Sequence, residues 1–387
     1  MSVSEQTRKR LANQAAILRC IREHGALSRS RISDLCDIRK ASVTHICREL
    51  VDRGALEELQ PGFYRSEVRL SDSFWKALAV QLSPSEITAV SVDHCGNINQ
   101  RWTRKTGRRT RPEAILPLIA ELICEALRSD DAYVGIGISI PGIVDVDKGR
   151  CLSAVNLGDW REVALVGNLT EALPQSAPGI AIENDAMAGL IANHWFQELE
   201  ANPADSIYIA LGQGVGCAQM SGGKPVRGQH FAAGEIGCLP AGNEGRKCSC
   251  GKVDCLQTYC GEEGLRQSLV KGSPALASYS LGEIGAIAKG DKRVRSQLEK
   301  ALEPLVGKVG TIVALSDPTS LIVVSDEPEL AKVVPSIFRS GLQRILGWSN
   351  DDFIPVTCGI PPGRACLLGA AASVFDLAFQ SESLRVQ

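Results

Sequence analysis

The hydrophobic pattern of the first 70 residues predicts three short helices followed by two strands. In "ANQAAILRCIREHG" the apolar residues recur at helical spacing until a glycine ends the pattern. "SRSRISDLCD" predicts a second short helix, capped by Ser28, that turns Ile32 and Leu35 inward. "RKASVTHICRELVDRG" repeats the helical spacing, and "LEELQPGFYRSEVRLS" alternates as two strands around a Pro-Gly turn.

This order of elements predicts a winged helix-turn-helix domain over residues 1–72. In such a domain the third helix enters the major groove, and its N-terminal residues reach the base edges. The candidate DNA contacts are polar residues off the apolar stripe of that helix and one residue of the wing: Arg39, Lys40, Ser42, Thr44, His45, Arg48 and Arg65. A small helical bundle with a solvated charged face is the alternative interpretation.

Charge separates this head from the rest of the 387-residue chain. Residues 1–70 carry 13 Lys and Arg against 9 Asp and Glu, a net of +4, whereas the remainder is net −6. A basic head on an acidic body indicates that the head meets a polyanion. The basic run Arg8-Lys9-Arg10 offers further contacts to a DNA backbone.

Composition indicates a cytoplasmic protein with no membrane association. The sequence has no stretch of about 18 apolar residues, and its polar N-terminus lacks the apolar region of a secretory signal. Most of the 14 cysteines stand singly within apolar patterns, as buried reduced thiols do.

From about Trp75 onward, strand patterns alternate with helix patterns, which predicts an α/β body over residues 73–387. "WKALAVQLSPSEITAVSVDHCGNI" reads as a hairpin of buried strands, and "RPEAILPLIAELICEALRS" as an amphipathic helix. "LIVVSDEPELAKVVPSIFRSGL" is a later strand and helix, and "RACLLGAAASVF" a closing helix.

The body resembles the ROK family of repressors, uncharacterised frames and sugar kinases. The matching segments, in order, are "ISIPGIVDVDKG", "AVNLGDW", "IENDAMAGLIA", "ALGQGVGCAQMSGGKPVRG", "AAGEIG", "CSCGKVDCLQ" and "CLLGAAASVF". With the head included, the resemblance covers essentially the whole chain and is to the branch of the xylose and N-acetylglucosamine repressors. It implies an actin- and hexokinase-like body of two α/β lobes with a sugar cleft between them.

The resemblance also implies a structural zinc ion in the segment 238–255. Family members hold this ion with one histidine and three cysteines, and here the histidine position is a cysteine, so that the implied ligands are Cys238, Cys248, Cys250 and Cys255. Zn²⁺ accepts four cysteines as readily as three cysteines and a histidine. Free thiols or a disulfide are the alternatives, but this spacing in a reducing compartment favours zinc. Cys260, close by, is expected in the core.

The sugar contacts that the resemblance implies are Gly142, Asn184, Asp185, Glu235 and Gln257. Gln257 stands where the family has a glutamate, and the loss of the zinc-bound histidine removes one hydrogen-bonding partner. Polar Asn, Asp and Glu side chains suit a polyol, since each hydroxyl both donates and accepts. The alternative for Asn184-Asp185 is a helix N-cap that needs no ligand.

In ROK kinases Asp185 would be the base that deprotonates the sugar hydroxyl. Phosphoryl transfer also needs groups that bind phosphate, and three such elements are altered here: "QLSPS" at 81–85, the turn at 212–214, and Ser325-Asp326. Pro84 removes an amide donor, and Asp326 would repel a phosphate. We therefore expect no kinase activity.

These features predict a sugar-responsive DNA-binding regulator, a repressor of carbohydrate-utilisation genes. It would act as a homodimer or homotetramer on a double-stranded DNA operator, with a sugar or sugar derivative as effector and zinc as a structural ion. One alternative is an ATP-dependent sugar kinase that carries a DNA-binding head. The other is a regulator with a vestigial cleft that a protein partner controls.

Overall fold

The computed structural model of the protein describes residues 5–60, 66–107, 111–129, 133–158, 160–197, 204–348 and 353–386. The predicted wing turn and the candidate DNA contact Arg65 lie outside these residues. The N-terminal head consists of α1 (Glu5–His24), β1 (Leu27–Ser28), α2 (Arg29–Cys36), α3 (Lys40–Asp52), β2 (Leu56–Glu58) and β3 (Glu67–Leu70). Its three strands pair antiparallel in the order β1-β3-β2, which is the predicted winged helix-turn-helix.

The predicted cap of α2 is present, but one predicted core residue is not buried. Ser28 Oγ accepts a hydrogen bond from the Arg31 amide at 3.3 Å. Leu35 is 38% exposed, so the prediction that it turns inward was wrong. Ser33 takes an inward position on this helix, and its hydroxyl donates to Ile38 O at 2.6 Å.

The first lobe of the body is built on a mixed five-stranded sheet. Its elements are β4 (Lys76–Leu82), β5 (Glu86–Asp93), β6 (Ile98–Lys105), α4 (Pro112–Ser129), β7 (Ile136–Ile140), β8 (Ile143–Asp145), β9 (Arg150–Ala154), β10 (Trp160–Val163), α5 (Leu165–Ala172), β11 (Ile180–Asn184) and α6 (Asp185–Phe196). The sheet order is β11-β7-β4-β5-β6; β4, β5 and β6 form antiparallel hairpins, whereas β7 is parallel to both β4 and β11. Strands β8 to β10 form a small separate sheet.

The second lobe repeats this plan with a sheet in the order β14-β13-β12-β15-β16. Its elements, together with the closing helix, are β12 (Ser206–Leu211), β13 (Val215–Ser221), β14 (Lys224–Pro225), α7 (Gln257–Cys260), α8 (Glu262–Gly272), α9 (Leu281–Ala288), α10 (Lys292–Ser316), β15 (Ser320–Ser325), α11 (Pro328–Ala331), α12 (Val334–Leu346), β16 (Val356–Thr357) and α13 (Pro362–Phe379). The two lobes give the mixed α/β body that the sequence predicts.

Helix α13 returns to the first lobe and packs against α6, β4 and β7. It approaches α6 closely at Gly369, where an added Cβ would lie 1.8 Å from Ala188 O. Any side chain at that position would force the two helices apart, so glycine is required there for this packing.

The head and the body share one hydrophobic core. Ile17 and Leu18 of α1 belong to the same buried cluster as Phe375 and Phe379 of α13. The indole of Trp75 lies between them, donates to Ala55 O at 2.8 Å and meets the ring of Phe379 edge to face. The predicted domain boundary at 72/73 thus falls in a loop, and the head and body segments on either side of this loop pack against each other. Among the described residues, no helix is long and apolar enough to cross a membrane.

Candidate functional site

A polar cleft of about 270 Å³ lies between the two lobes. The C-terminal end of β11, the start of α6, the β12–β13 turn and the start of α13 form its walls. All five predicted sugar contacts line this cleft: Gly142, Asn184, Asp185, Glu235 and Gln257. The structure therefore brings together residues that are up to 115 positions apart in the sequence.

Gly142 forms the turn that follows β7 at the mouth of the cleft. Its φ is +107°, and an added Cβ would lie 2.2 Å from Ser153 O, so the turn accepts only glycine. The Gly142 carbonyl accepts a hydrogen bond from Asn184 Nδ2 at 2.8 Å, which holds the turn against the end of β11.

Asn184 is the N-cap of α6, as the ligand-free alternative predicted. Its Oδ1 accepts from the Met187 amide at 3.0 Å while its Nδ2 holds Gly142. The Asn184 side chain also donates to the Asp185 carboxyl group, and one oxygen lone pair of the amide remains available to a ligand, so a capping role and a binding role are compatible.

Two carboxyl groups with raised pKa values line the cleft. Burial raises the pKa of Asp185, the first residue of α6, to about 6, although its Oδ1 accepts from the Ala186 amide at 2.7 Å. Desolvation, together with the charge of Asp185, raises the pKa of Glu235 to about 7. Near neutral pH each group has access to its protonated and ionised forms, so the pair can donate to or accept from ligand hydroxyls.

The four predicted metal ligands form one cluster beside the cleft. The Sγ atoms of Cys238, Cys248, Cys250 and Cys255 all lie within 4.8 Å of one another, and those of Cys250 and Cys255 are 3.5 Å apart. Tetrahedral Zn–S bonds of about 2.3 Å place thiolates about 3.8 Å apart, so the cluster fits a Cys₄ zinc ion. All 14 cysteines, which lie within the described ranges, are free thiols.

Gln257 connects this cluster to the cleft. Its Nε2 donates to Cys248 Sγ at 2.8 Å, and its side chain also lines the cleft. Burial alone would raise the pKa of the Cys248 thiol, but hydrogen bonds from the Cys250 backbone and from Gln257 lower it to about 7. As expected, Cys260 stands apart in the core, where its thiol donates to Ala301 O at 3.6 Å.

Asp254, which the sequence patterns did not single out as functional, shapes the cysteine loop. Asp254, in the left-handed conformation at φ 57°, accepts from the amides of Glu244, Gly245 and Arg246 at 3.0–3.1 Å. Tyr259 also donates its hydroxyl proton to Asp254 at 2.5 Å. An aspartate directly before the last cysteine of the cluster was the available signal, since Asp commonly organises loop amides.

Two of the segments that the family resemblance aligns with phosphate-binding elements form internal hydrogen bonds. In the β4–β5 turn, the Ser83 amide donates to Glu86 O at 2.9 Å, and the Glu86 amide donates to Ser83 Oγ at 3.1 Å. At the start of α13, the Gly363 amide donates to Asp326 Oδ1 at 2.9 Å. A carboxylate thus lies at the helix N-terminus, where backbone amides commonly bind phosphate.

The predicted DNA-reading residues lie on the outer face of α3 or directly before it. Ser42 is half-buried, and the remaining five described ones are exposed: Arg39, Lys40, Thr44, His45 and Arg48. The basic run before this surface is only partly available, because Arg10 pairs with Glu49 at 2.5 Å and with Glu382 at 3.8 Å.

Comparison with known proteins agrees with this architecture. The model of the ROK family matches residues 77–374, and the model of the MarR family matches residues 12–61. A putative xylose repressor of Caldicellulosiruptor sp. (strain Rt8B.4) is 30% identical over 272 residues, which are 67% of this chain and 66% of the relative. That match spans just under two thirds of the relative's length. The DNA-binding transcriptional dual regulator NagC of Escherichia coli K12 is 24% identical over 344 residues, 83% and 82% of the two chains.

Solved structures share the fold over the body or over nearly the whole chain. A ROK family transcriptional regulator described as a homolog of the E. coli MLC protein superposes with a TM-score of 0.76 at 19% identity, covering 96% of this chain and 99% of the other. A ROK family glucokinase from Streptomyces griseus, in complex with glucose and AMPPNP, superposes with a TM-score of 0.64 at 25% identity, covering 76% and 98%. The first match includes the head, whereas the second has the extent of the body alone.

Proposed function

The chain belongs to the ROK family, and from that premise we propose that it is a sugar-responsive DNA-binding repressor of carbohydrate-utilisation genes. The observation that carries the proposal is a winged helix-turn-helix head whose core is continuous with a body that contains a polar cleft. Relatives that carry the names putative xylose repressor and N-acetylglucosamine repressor support the same function.

Helix α13 links the cleft to the head. Pro362, Gly363 and Cys366, in its first turns, line the cleft, and the Cys366 thiol donates to Asp185 O at 3.5 Å. Its last turns, around Phe379, pack under α1. A sugar that closes the lobes on each other would displace both ends of this helix, and the head would move with it. The sugar can shift DNA affinity only by its differential affinity for the two arrangements.

The proposed sugar contacts use the groups that the cleft leaves available. Asp185 and Glu235 bind ligand hydroxyls through their carboxyl oxygens, and Asn184 adds the remaining lone pair of its Oδ1. Gly142 keeps the turn after β7 close enough to cover the ring of the bound sugar. Gln257 joins this set from the cysteine cluster, so a zinc ion bound there would fix the position of one cleft wall.

Zinc has a structural role in this proposal. Cys238, Cys248, Cys250 and Cys255 would hold it in a closed tetrahedral site with no open position for chemistry. When bound, it supplies a rigid cross-link for a loop that otherwise depends on Asp254.

Two copies of the chain would present two α3 helices to a pseudo-palindromic operator, with half-sites about one or two helical turns apart. Lys40 and its neighbours at the start of α3 would read base edges, and Arg48 would contact phosphate. The proposed action on a genomic operator implies a cytoplasmic location, and the singly placed cysteines suit a reducing compartment.

We propose no kinase activity, although ROK kinases share the fold. Asp326 would repel a nucleotide phosphate at the start of α13, and the Ser83–Glu86 turn uses its amides internally. Asp185 is then a hydroxyl acceptor for recognition and not a catalytic base.

The experiment that tests the function is thermal unfolding of the full-length protein against a panel of sugars, with and without Mg-ATP. A ligand that binds only the folded state raises the melting temperature by mass action. We expect a shift with one sugar class and none with Mg-ATP, and the same sugar should change operator affinity in a gel-shift titration.

Asp185→Asn is the matched variant, because it keeps the size of the side chain and removes its charge. We expect it to lose the sugar-induced shift while it retains operator binding. A shift with Mg-ATP would support the kinase alternative. Operator binding that no sugar alters would support the alternative of a vestigial cleft and a protein partner.

A further inference from the structure

A second cluster of metal-binding side chains lies where the head joins the body. The donor atoms of Asp72, His94 and Cys95 are all within 4.8 Å of one another. His94 Nε2 lies 2.9 Å from Asp72 Oδ1, and Cys95 Sγ lies 3.6 Å from His94 Nδ1. These residues take no part in the cleft or in the four-cysteine cluster.

The three residues come from two parts of the molecule. Asp72 lies in the loop that leaves the head, between β3 and β4, whereas His94 and Cys95 form the tip of the β5–β6 hairpin in the first lobe. Asp93 orders that tip, because its Oδ1 accepts from the amides of Cys95 and Asn97 at 3.0 and 2.9 Å. Two of the three ligands are therefore held by a pre-formed turn, and the third comes from the connecting loop.

The donor set matches a specific class of metal ion. One imidazole, one thiol and one carboxylate suit Zn²⁺, and three protein ligands leave a fourth position for water. A solvent-filled cavity of about 830 Å³ borders all three residues and gives an ion access from outside. A purely structural Asp72–His94 ion pair would use only two of the three groups and would leave the exposed Cys95 unexplained.

We propose that Asp72, His94 and Cys95 form a second zinc site, which clips the connecting loop to the first lobe. Binding releases the thiol proton of Cys95, and the Asp72–His94 contact gives way to bonds from both groups to the ion. Since the clip joins the two sides of the head–body junction, a loaded site restrains the head. This inference does not depend on the sugar or on the operator.

The test is a zinc titration of the full-length, chelator-treated protein against a chromogenic competing chelator. Wild-type protein should bind one more equivalent than the variant H94A/C95S. The single variant D72A should bind this additional zinc ion with an affinity at least tenfold lower. Cys358→Ser, which removes another exposed thiol, is the matched control and should keep the wild-type stoichiometry. With Co²⁺, the thiolate-to-metal absorption that the additional equivalent contributes, beyond that of the four-cysteine cluster, should be absent in Cys95→Ser.

Equal stoichiometry and affinity in wild type and H94A/C95S would overturn the site. An unchanged zinc affinity in D72A would overturn the proposed link between the connecting loop and the first lobe, because only His94 and Cys95, at the hairpin tip, would then bind the ion. Limited proteolysis gives a second readout: zinc should slow cleavage of the loop at 71–75 in wild type, and should fail to do so in D72A.

Discussion

The side-chain amide of Gln14, in the first helix of the head, donates to two carbonyl oxygens of the body, those of Phe379 and Ser381, each at 3.0 Å. Gln14 is only 2% exposed, so water cannot replace these bonds. The contact joins residues 365 positions apart and fixes how the head sits on α13.

Replacing Gln14 should therefore loosen the head. Gln14→Ala removes the donor to the Phe379 carbonyl in a buried junction and leaves the Ser381 carbonyl with only the Leu384 amide, which costs about 1–3 kcal/mol. We expect a lower urea midpoint and a smaller effect of sugar on operator affinity. Gln380→Ala is the control, since this exposed side chain bonds only to Asp376 of its own helix. Equal effects of both substitutions would contradict the docking role.

Removing one ligand of the four-cysteine cluster should release metal and weaken the cleft wall. Cys248→Ser should lose one equivalent of zinc in a colorimetric assay and bind sugar more weakly, because Gln257 bonds to this thiol. A strong chelator should lower the melting temperature of wild type more than that of the variant. Cys260→Ala, which removes the nearby core thiol, should keep the zinc content; loss of zinc there would mean that the ligand set is wrong.

The carboxyl group of Asp185, in the cleft, should make the stability of the protein depend on pH. The pKa of Asp185 is about 6 in the fold against an ordinary 3.8, so folding favours its protonated form. The stability that protonated Asp185 contributes is fully present below about pH 4 and is lost as the pH rises through 6. Over this range the free energy of unfolding should fall by at most about 3 kcal/mol. Melting temperatures should be measured at pH 4.5 and 7.5. Relative to wild type, Asp185→Asn should be more stable at pH 7.5 than at pH 4.5. A constant difference across this range would argue against the raised pKa.

Residues on α3 should separate affinity from specificity. Arg48→Ala should weaken binding to all sequences and reduce the slope of log affinity against log salt by about one, as expected for one lost phosphate contact. Lys40→Ala should relax discrimination at one base position by about 1–3 kcal/mol. Fluorescence anisotropy at several salt concentrations measures both effects. Lys300→Ala, on α10 of the body, should change neither, and an unchanged salt slope in Arg48→Ala would refute the proposed docking.

Local sequence patterns predicted much of this structure. The helices of the head, the Ser28 cap and the order of strands and helices in the body follow from short-range signals, whereas the four-cysteine ligand set came from the family resemblance. The five cleft residues came from the family resemblance, and the fold places them in one cleft. Their selectivity for a particular sugar remains outside what such signals carry.

Long-range packing could not be predicted in the same way. Gln14 reads as a polar surface residue of an amphipathic helix, and only the position of α13 makes it buried. Arg10 reads as a DNA contact, yet glutamates at positions 49 and 382 reach it. The sequence pattern predicts Leu35 as a core residue. In the structure Ser33 takes the inward position on the short α2, and Leu35 lies at the rim of the core. Each of these outcomes depends on partners that no local pattern specifies.

The close approach of α13 to α6 at Gly369 has a mechanical consequence. With no side chain between them, the two helices would tilt as one piece in the proposed closure of the lobes; one end of that piece carries Asp185, and the other supports the head. Eighteen helical residues span about 27 Å, so a tilt of about 5° at the cleft displaces the far end by about 2 Å. Hydrogen bonds to base edges survive only a few tenths of an ångström of stretching. In the proposed repressor, a movement of the lobes by a few degrees would therefore be enough to move α3 out of register with the bases of its operator.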